Sequence, residues 1–188
     1  HTKQAYAAYA SGEMSREEYK EVVKNACPTP GACPFMGTAN TMCAMAELLG
    51  LSPHGNASVR SQSKEWHGMA RQAGAAIAQA VKEEKRPSKF ITEKSFENVV
   101  SYMMATGGST NSLLHIPAIA NQIGIDILPE KFDQISREVP VISAIYPNHP
   151  SYTMEEFEQA GGICAVVKEL LKAEKIHGEV EGMFGSIK

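Results

Sequence analysis

Gly31-Ala32-Cys33-Pro34-Phe35-Met36-Gly37-Thr38-Ala39-Asn40-Thr41-Met42 places a single thiol in a glycine-flanked loop that runs directly into a helix of small residues. A helix N-terminus presents unpaired backbone N–H groups and the positive end of the helix dipole. A thiol held there is biased toward thiolate, the form that binds metal or attacks. The segment reads as a prepared site for a soft metal or an anion. The plainer reading is a small buried residue in a tight turn, and position alone does not separate the two. The helix continues from Thr38 to Leu49 and ends at Gly50 as a C′ residue. Ala39, Ala44 and Ala46 give it a thin face that lets another backbone come close.

Upstream of this stretch, Ser15-Arg16-Glu17-Glu18 fits a capping box, with Ser15 as N-cap and Glu18 at N3. That helix runs to about Asn25 and stops before Pro28 and Pro30. Downstream, residues 51–63 are loop-like. Trp66 to about Lys85 is a long helix with Met69, Ala73, Ile77 and Val81 along one side, ended by Pro87. Phe90-Ile91 is a short strand candidate. Thr92 or Glu93 opens a helix through Phe96, Val99, Val100 and Met103 that ends at Gly107-Gly108. Ser109-Thr110-Asn111 caps the next helix, in which Pro117 is expected to make a kink before Gly124 ends it. Pro129 opens one more short helix, to about Arg137. Val139 to Tyr146, β-branched and apolar on both sides, suits a fully covered strand. Thr153–Gln159 and Ile163–Lys172 are helices broken by Gly161-Gly162. The pattern predicts a helix-heavy α/β fold with too few strands for a complete sheet. The chain starts at His1 and stops at Gly185-Ser186-Ile187-Lys188 without a closing element, so it is expected to be a piece of a longer protein.

The bulk composition excludes several classes. A 188-residue chain that is 43% apolar and 21% charged suits one globular domain and shows no disorder signature. A net charge of −3 with scattered Lys and Arg argues against nucleic acid. No apolar run reaches the ~18 residues that span a bilayer, and no secretory signal is present. The four cysteines form no C-x-x-C pair, which suggests a reducing, cytoplasmic setting rather than two disulfides.

Among other candidates, Cys27 lies six residues before Cys33 as a possible second ligand. Cys43 and Cys164 fall in apolar surroundings and are expected in the core. No ligand spacing supports zinc. Ala105-Thr106-Gly107-Gly108-Ser109-Thr110-Asn111 reads either as an anion or hydroxyl pocket at a helix start or as a C′ glycine followed by an N-cap serine. His115 is expected to be a hydrogen-bonded structural residue. His54, His67, His149 and His177 show no partner pattern. Glu65, Glu97 and Glu155-Glu156 read as solvated or capping carboxylates.

Together these residues resemble the dihydroxy-acid dehydratase / 6-phosphogluconate dehydratase family, which includes sugar-acid dehydratases. GACPFMGTANTM (31–42), PSKFITEKSFENVV (87–100), ATGGSTNSLLHIPAIA (105–120) and AGGICAVVKELL (160–171) carry the match in family order, and AYAAYASGEMSREEYKEV (5–22) resembles the helix before the cluster loop. The resemblance implies conversion of a 2,3-dihydroxy acid to a 2-keto acid by loss of water. It implies an iron–sulfur cluster, [2Fe–2S] or [4Fe–4S], as Lewis acid on the departing hydroxyl, Mg²⁺ on the substrate carboxylate and 2-hydroxyl, and a serine alkoxide as base. Of three cluster cysteines, only Cys33 matches here. The other two, the Mg²⁺ ligands and the serine base are expected outside this chain, so the chain alone should be inactive. Ser109, Thr110 and Asn111 are the expected substrate-binding residues, shaping the cavity that Cys33 faces.

The implied fold is an incomplete, helix-rich three-layer α/β domain, the C-terminal half of the family's N-terminal domain without its β-barrel domain. Residues 1–178 would belong to the iron–sulfur domain, and 179–188 would begin the connection to the barrel. Gly37 stands where the branched-chain branch usually has Tyr, and Gly37-Thr38-Ala39 resembles the sugar-acid branch, whereas Asn40 is shared with the dihydroxy-acid and phosphogluconate branches. The substrate is thus a branched-chain dihydroxy acid or a sugar acid, and the implied assembly is a homo-oligomer. The rival readings are a non-catalytic helical binding or scaffold module with a structural Cys33, and an anion binder using the 107–111 turn.

Overall fold

The structure, a computed structural model, describes residues 2–26, 30–31 and 33–187. The chain divides into two compact units, His1–Gly31 and Ala32–Lys188.

The first unit holds α1 (Thr2–Ala10) and α2 (Arg16–Asn25). The capping box at Ser15 forms as its sequence requires. Glu18 N–H donates to Ser15 Oγ at 3.2 Å, and Ser15 N–H donates back to Glu18 Oε2 at 2.8 Å. Between the helices Gly12 takes φ +80°, a left-handed conformation that suits glycine. The pair is joined by Tyr9 stacked on Tyr19, centroids 5.1 Å apart.

The second unit contains α3 (Thr38–Leu48), α4 (Lys64–Lys82), α5 (Pro87–Phe90), α6 (Glu93–Thr106), α7 (Ser112–Asn121), α8 (Pro129–Glu138), α9 (Met154–Gln159) and α10 (Gly162–Lys172). A small antiparallel hairpin, β1 (Glu181–Gly182) and β2 (Gly185–Ser186), pairs Glu181 with Ser186 and Gly182 with Gly185. A helix-rich chain with one small sheet agrees with the incomplete α/β expectation.

α6 is the centre of the core and packs against α3, α8 and α10. Phe96, Val99, Val100 and Ala105 are all buried along it. Two of its buried polar residues are paired locally. Ser95 Oγ accepts from Thr92 N–H at 3.0 Å, and Thr106 Oγ donates to the Tyr102 carbonyl at 2.8 Å. Asn98, fully buried, brackets the chain after α10 by donating to the His177 carbonyl at 3.0 Å and accepting from its N–H at 2.7 Å. Pro117 does lie inside α7.

Two strand expectations are corrected. Phe90 lies in the single turn of α5, where Ile91 N–H closes onto the Pro87 carbonyl at 2.9 Å. Residues 139–146 make no ladder. The amides of Ile142 and Ser143 both turn to the Ala105 carbonyl at the end of α6, at 2.8 and 3.3 Å, and a lone bridge joins Ile145 to Tyr152. Val141 is 69% exposed, not covered on both faces. α4 begins two residues earlier than predicted, because Ser63 Oγ accepts from Trp66 N–H at 3.0 Å. Its apolar side is largely open, with Ala80 its buried residue and Val81 72% exposed. No described helix is long and apolar enough to cross a membrane.

Glu97 is neither solvated nor a cap, contrary to expectation. Lys131 Nζ lies 2.6 Å from Glu97 Oε1, and His177 Nε2 lies 2.7 Å from Oε2, so the carboxylate ties α6 to α8 and to the segment after α10. Burial pushes its pKa up, but the hydrogen bonds and charges of Lys131 and His177 outweigh this and hold it below the usual carboxylate range. A lowered folded-state pKa contributes stability above the ordinary value near 4.5, and that stability is lost as pH falls through the folded value. Glu97→Gln should therefore cost about 1–2 kcal/mol at neutral pH and flatten the acid limb of stability. Urea midpoints measured from pH 7 down to pH 3 check this.

Candidate functional site

The loop that enters α3 is tied down residue by residue. Asn40 Nδ2 donates to the carbonyls of both Cys33 and Phe35, at 2.8 and 2.7 Å. The Pro34 carbonyl accepts from Met154 N–H at 2.9 Å, and Met36 N–H donates to the Tyr146 carbonyl at 2.8 Å. The Phe35 ring meets Tyr146 edge-on, with centroids 5.9 Å apart. Gly37 occupies the N-cap of α3. A Cβ there would lie 2.9 Å from Phe35 Cε2, so a larger residue would require the Phe35 ring to shift. Cys33 itself is half-buried. The amides of Thr38, Ala39 and Asn40 find no acceptor among the described residues, as first-turn amides do not within a helix.

The 105–111 turn docks onto this same helix end. Gly107 ends α6 with φ +64°, and its carbonyl accepts from the Asn148 side chain. The next glycine gives close approach, because a Cβ on Gly108 would sit 2.8 Å from Met103 Cγ and 3.0 Å from Thr41 Cγ2. Ser109 N–H donates to Thr41 Oγ1 at 3.0 Å, while that hydroxyl donates to the Gly37 carbonyl at 2.9 Å. Thr38 Oγ1 lies 2.9 Å from Ser109 Oγ and accepts from Asn111 Nδ2 at 2.8 Å. Two threonines of α3 thus stitch the two loops together.

This arrangement revises the simple capping picture. Asn111, not Ser109, occupies the N-cap of α7, and its side chain makes no cap bond, its Nδ2 donating instead to Thr38. Thr110 is exposed, and its side chain makes no hydrogen bond among the described residues. A cavity of about 570 Å³ opens between residues 142–145 and α9–α10, and neither Cys33 nor residues 109–111 line it.

Other sequence candidates fall elsewhere. Cys43 and Cys164 are exposed rather than in the core, because each lies on the outward side of its helix. Partial burial of each sulfur and the nearby Glu47 carboxylate push both thiols up. His115 is exposed, with no side-chain hydrogen bond among the described residues, so it is not the bonded structural residue expected. Glu156 does cap α9, accepting from Thr153 N–H at 2.7 Å. Cys27 lies outside the described residues.

Two buried polar residues of α3 escaped the sequence reading. Asn40 is 4% exposed and Glu47 is 2% exposed. Glu47 Oε1 accepts from Gly55 N–H at 2.6 Å and Oε2 from Ala57 N–H at 3.0 Å, which fixes the loop after α3. A carboxylate set among Ala44, Met45, Leu48 and Leu49 was the available signal.

Among the described residues no three His, Cys, Asp or Glu side chains gather into a metal cage. What the site offers a metal group is one half-buried thiol on a backbone held in place, beside an open helix N-terminus.

Comparison with known proteins gives the family. The profile described as "Dihydroxy-acid/6-phosphogluconate dehydratase N-terminal" matches residues 1–187. Curated proteins named dihydroxy-acid dehydratase are similar at about two residues in five. One from Natronomonas pharaonis is 42% identical over 171 residues, covering 91% of this chain and 29% of its own length. One from Thermus thermophilus is 41% identical over 182 residues, covering 97% of this chain and 33% of its own length. One from Methanosarcina barkeri is 40% identical over 170 residues, covering 90% of this chain and 30% of its own length. The chain thus spans about a third of the length of these relatives. With nearly all of its residues matched, the chain belongs to the dihydroxy-acid/6-phosphogluconate dehydratase family.

Proposed function

We propose that this chain supplies the Cys33 loop and the 105–111 turn to a dehydratase that converts a 2,3-dihydroxy acid to a 2-keto acid with loss of water. The observation that carries this reading is the junction at Thr38, which joins Ser109 and Asn111 to the helix that the Cys33 loop enters. The relatives' names favour the dihydroxy-acid branch of the family over the sugar-acid branch.

An iron–sulfur cluster, when bound, supplies a Lewis acid for the departing hydroxyl, and Cys33 is the residue of this chain that would hold it. The open amides of α3 favour a carboxylate or a hydroxyl oxygen nearby. Ser109 and Asn111, held by Thr38, orient polar groups at that end. Mg²⁺ ligation belongs to a longer polypeptide in this reading. So do the catalytic base, a homo-oligomeric assembly and a cytoplasmic setting.

The test uses the 188-residue chain beside a polypeptide about three times as long, the length of its relatives. After anaerobic reconstitution with iron and sulfide, the short chain should hold no stoichiometric cluster and show no turnover. Stable stoichiometric cluster binding by the short chain would overturn the single-ligand reading. In the long polypeptide, Cys33→Ser should reduce bound iron at least tenfold. Asn111→Ala should lower kcat about tenfold, about 1.4 kcal/mol, while stability changes by less than about 1 kcal/mol. Equal loss of turnover and stability would mark Asn111 as structural only.

A further inference from the structure

We infer that Asn40 is a positioning residue for Cys33, an inference that rests on the reading of Cys33 as a metal-binding thiol. Asn40 is buried in the first turn of α3, and its primary amide carries two donor hydrogens. Both are directed back onto the loop, one to the Cys33 carbonyl at 2.8 Å and one to the Phe35 carbonyl at 2.7 Å.

The residue type is demanding. Aspartate has the same shape but presents oxygen to two carbonyl oxygens. Serine donates a single hydrogen, and leucine donates none. The neighbouring ties, Pro34 to Met154 and Met36 to Tyr146, hold the loop's flank but do not reach Cys33. Within the described residues, the placement of the Cys33 peptide relative to the helix mouth therefore runs through one side chain. The Phe35 ring meets Tyr146 edge-on beside it.

The test measures thiol reactivity in the full chain, without any metal. Iodoacetamide alkylation is followed peptide by peptide by mass spectrometry, and the exposed thiols Cys43 and Cys164 serve as internal references. Asn40→Asp should raise the Cys33 rate at least fivefold while Cys43 and Cys164 stay within twofold. Asn40→Ser, which keeps one donor, should fall between, and it decides the matter if the aspartate variant does not fold. Unchanged Cys33 rates, or equal rises at all three thiols, would overturn the inference. Iron content of the reconstituted long polypeptide is read separately. Iron lost in Asn40→Asp but retained in Cys33→Ser would sink the metal-binding role of Cys33, whereas the thiol kinetics bear on Asn40 alone.

Discussion

Gly50→Ala should destabilise the second unit by about 3–5 kcal/mol, a large share of a domain's usual margin. Gly50 follows α3 with φ +70°, a region that costs an L-residue about 1–2 kcal/mol. A methyl group there would also land on the Gly182 Cα, within β1. The approach is mutual, since a Cβ on Gly182 would lie 2.5 Å from Gly50 Cα, and Met183 N–H closes the contact onto the Gly50 carbonyl at 2.9 Å. Overpacking of this kind costs about 1–3 kcal/mol or more, because backbone must move on both sides. Gly182→Ala separates the two contributions, since its own φ carries no left-handed penalty. Urea denaturation of both variants checks the result. A Gly182→Ala midpoint equal to wild type would mean that the two backbones are not in contact.

Glu47→Leu is the second large effect, expected at about 2–4 kcal/mol because it strands the amides of Gly55 and Ala57. Its pH dependence should run opposite to that of Glu97. Burial pushes the Glu47 carboxyl up, and this outweighs the two backbone hydrogen bonds and the pull of His54. A group with a raised folded-state pKa gives its full contribution below the ordinary value near 4.5 and loses it as pH rises through the folded value. The cost of the leucine substitution should therefore be greatest near pH 4 and shrink toward pH 7. A cost that grows from pH 4 to pH 7 would show that the amide bonds dominate instead.

The helix ends were legible because their chemistry is local. Ser15, Thr92 and Thr153 each take up a capping box within three residues, and Gly50 and Gly107 take the left-handed conformations that end α3 and α6. The junction at Thr38 was not legible from spacing, since its partners lie 71 and 73 residues away. Only the family resemblance put those segments in one place. Val139–Tyr146 misled because β-branched composition reports a preference for extended chain, not where its amides will bond. Here the Ala105 carbonyl captured two of them. Cys43 and Cys164 misled for a related reason. Apolar neighbours in sequence do not say which side of a helix meets the core, and both thiols face outward.

The tethered loop from Cys33 to Gly37 also sets the thermodynamics of whatever arrives there. Freezing one residue's backbone costs about 1–2 kcal/mol of entropy. At this site the cost falls on folding, since the Cys33, Pro34 and Phe35 carbonyls and the Met36 amide are already engaged. Ligand capture should then proceed with little conformational heat-capacity signature beyond desolvation of the guest, so calorimetric titration would register lock-and-key recognition rather than coupled ordering.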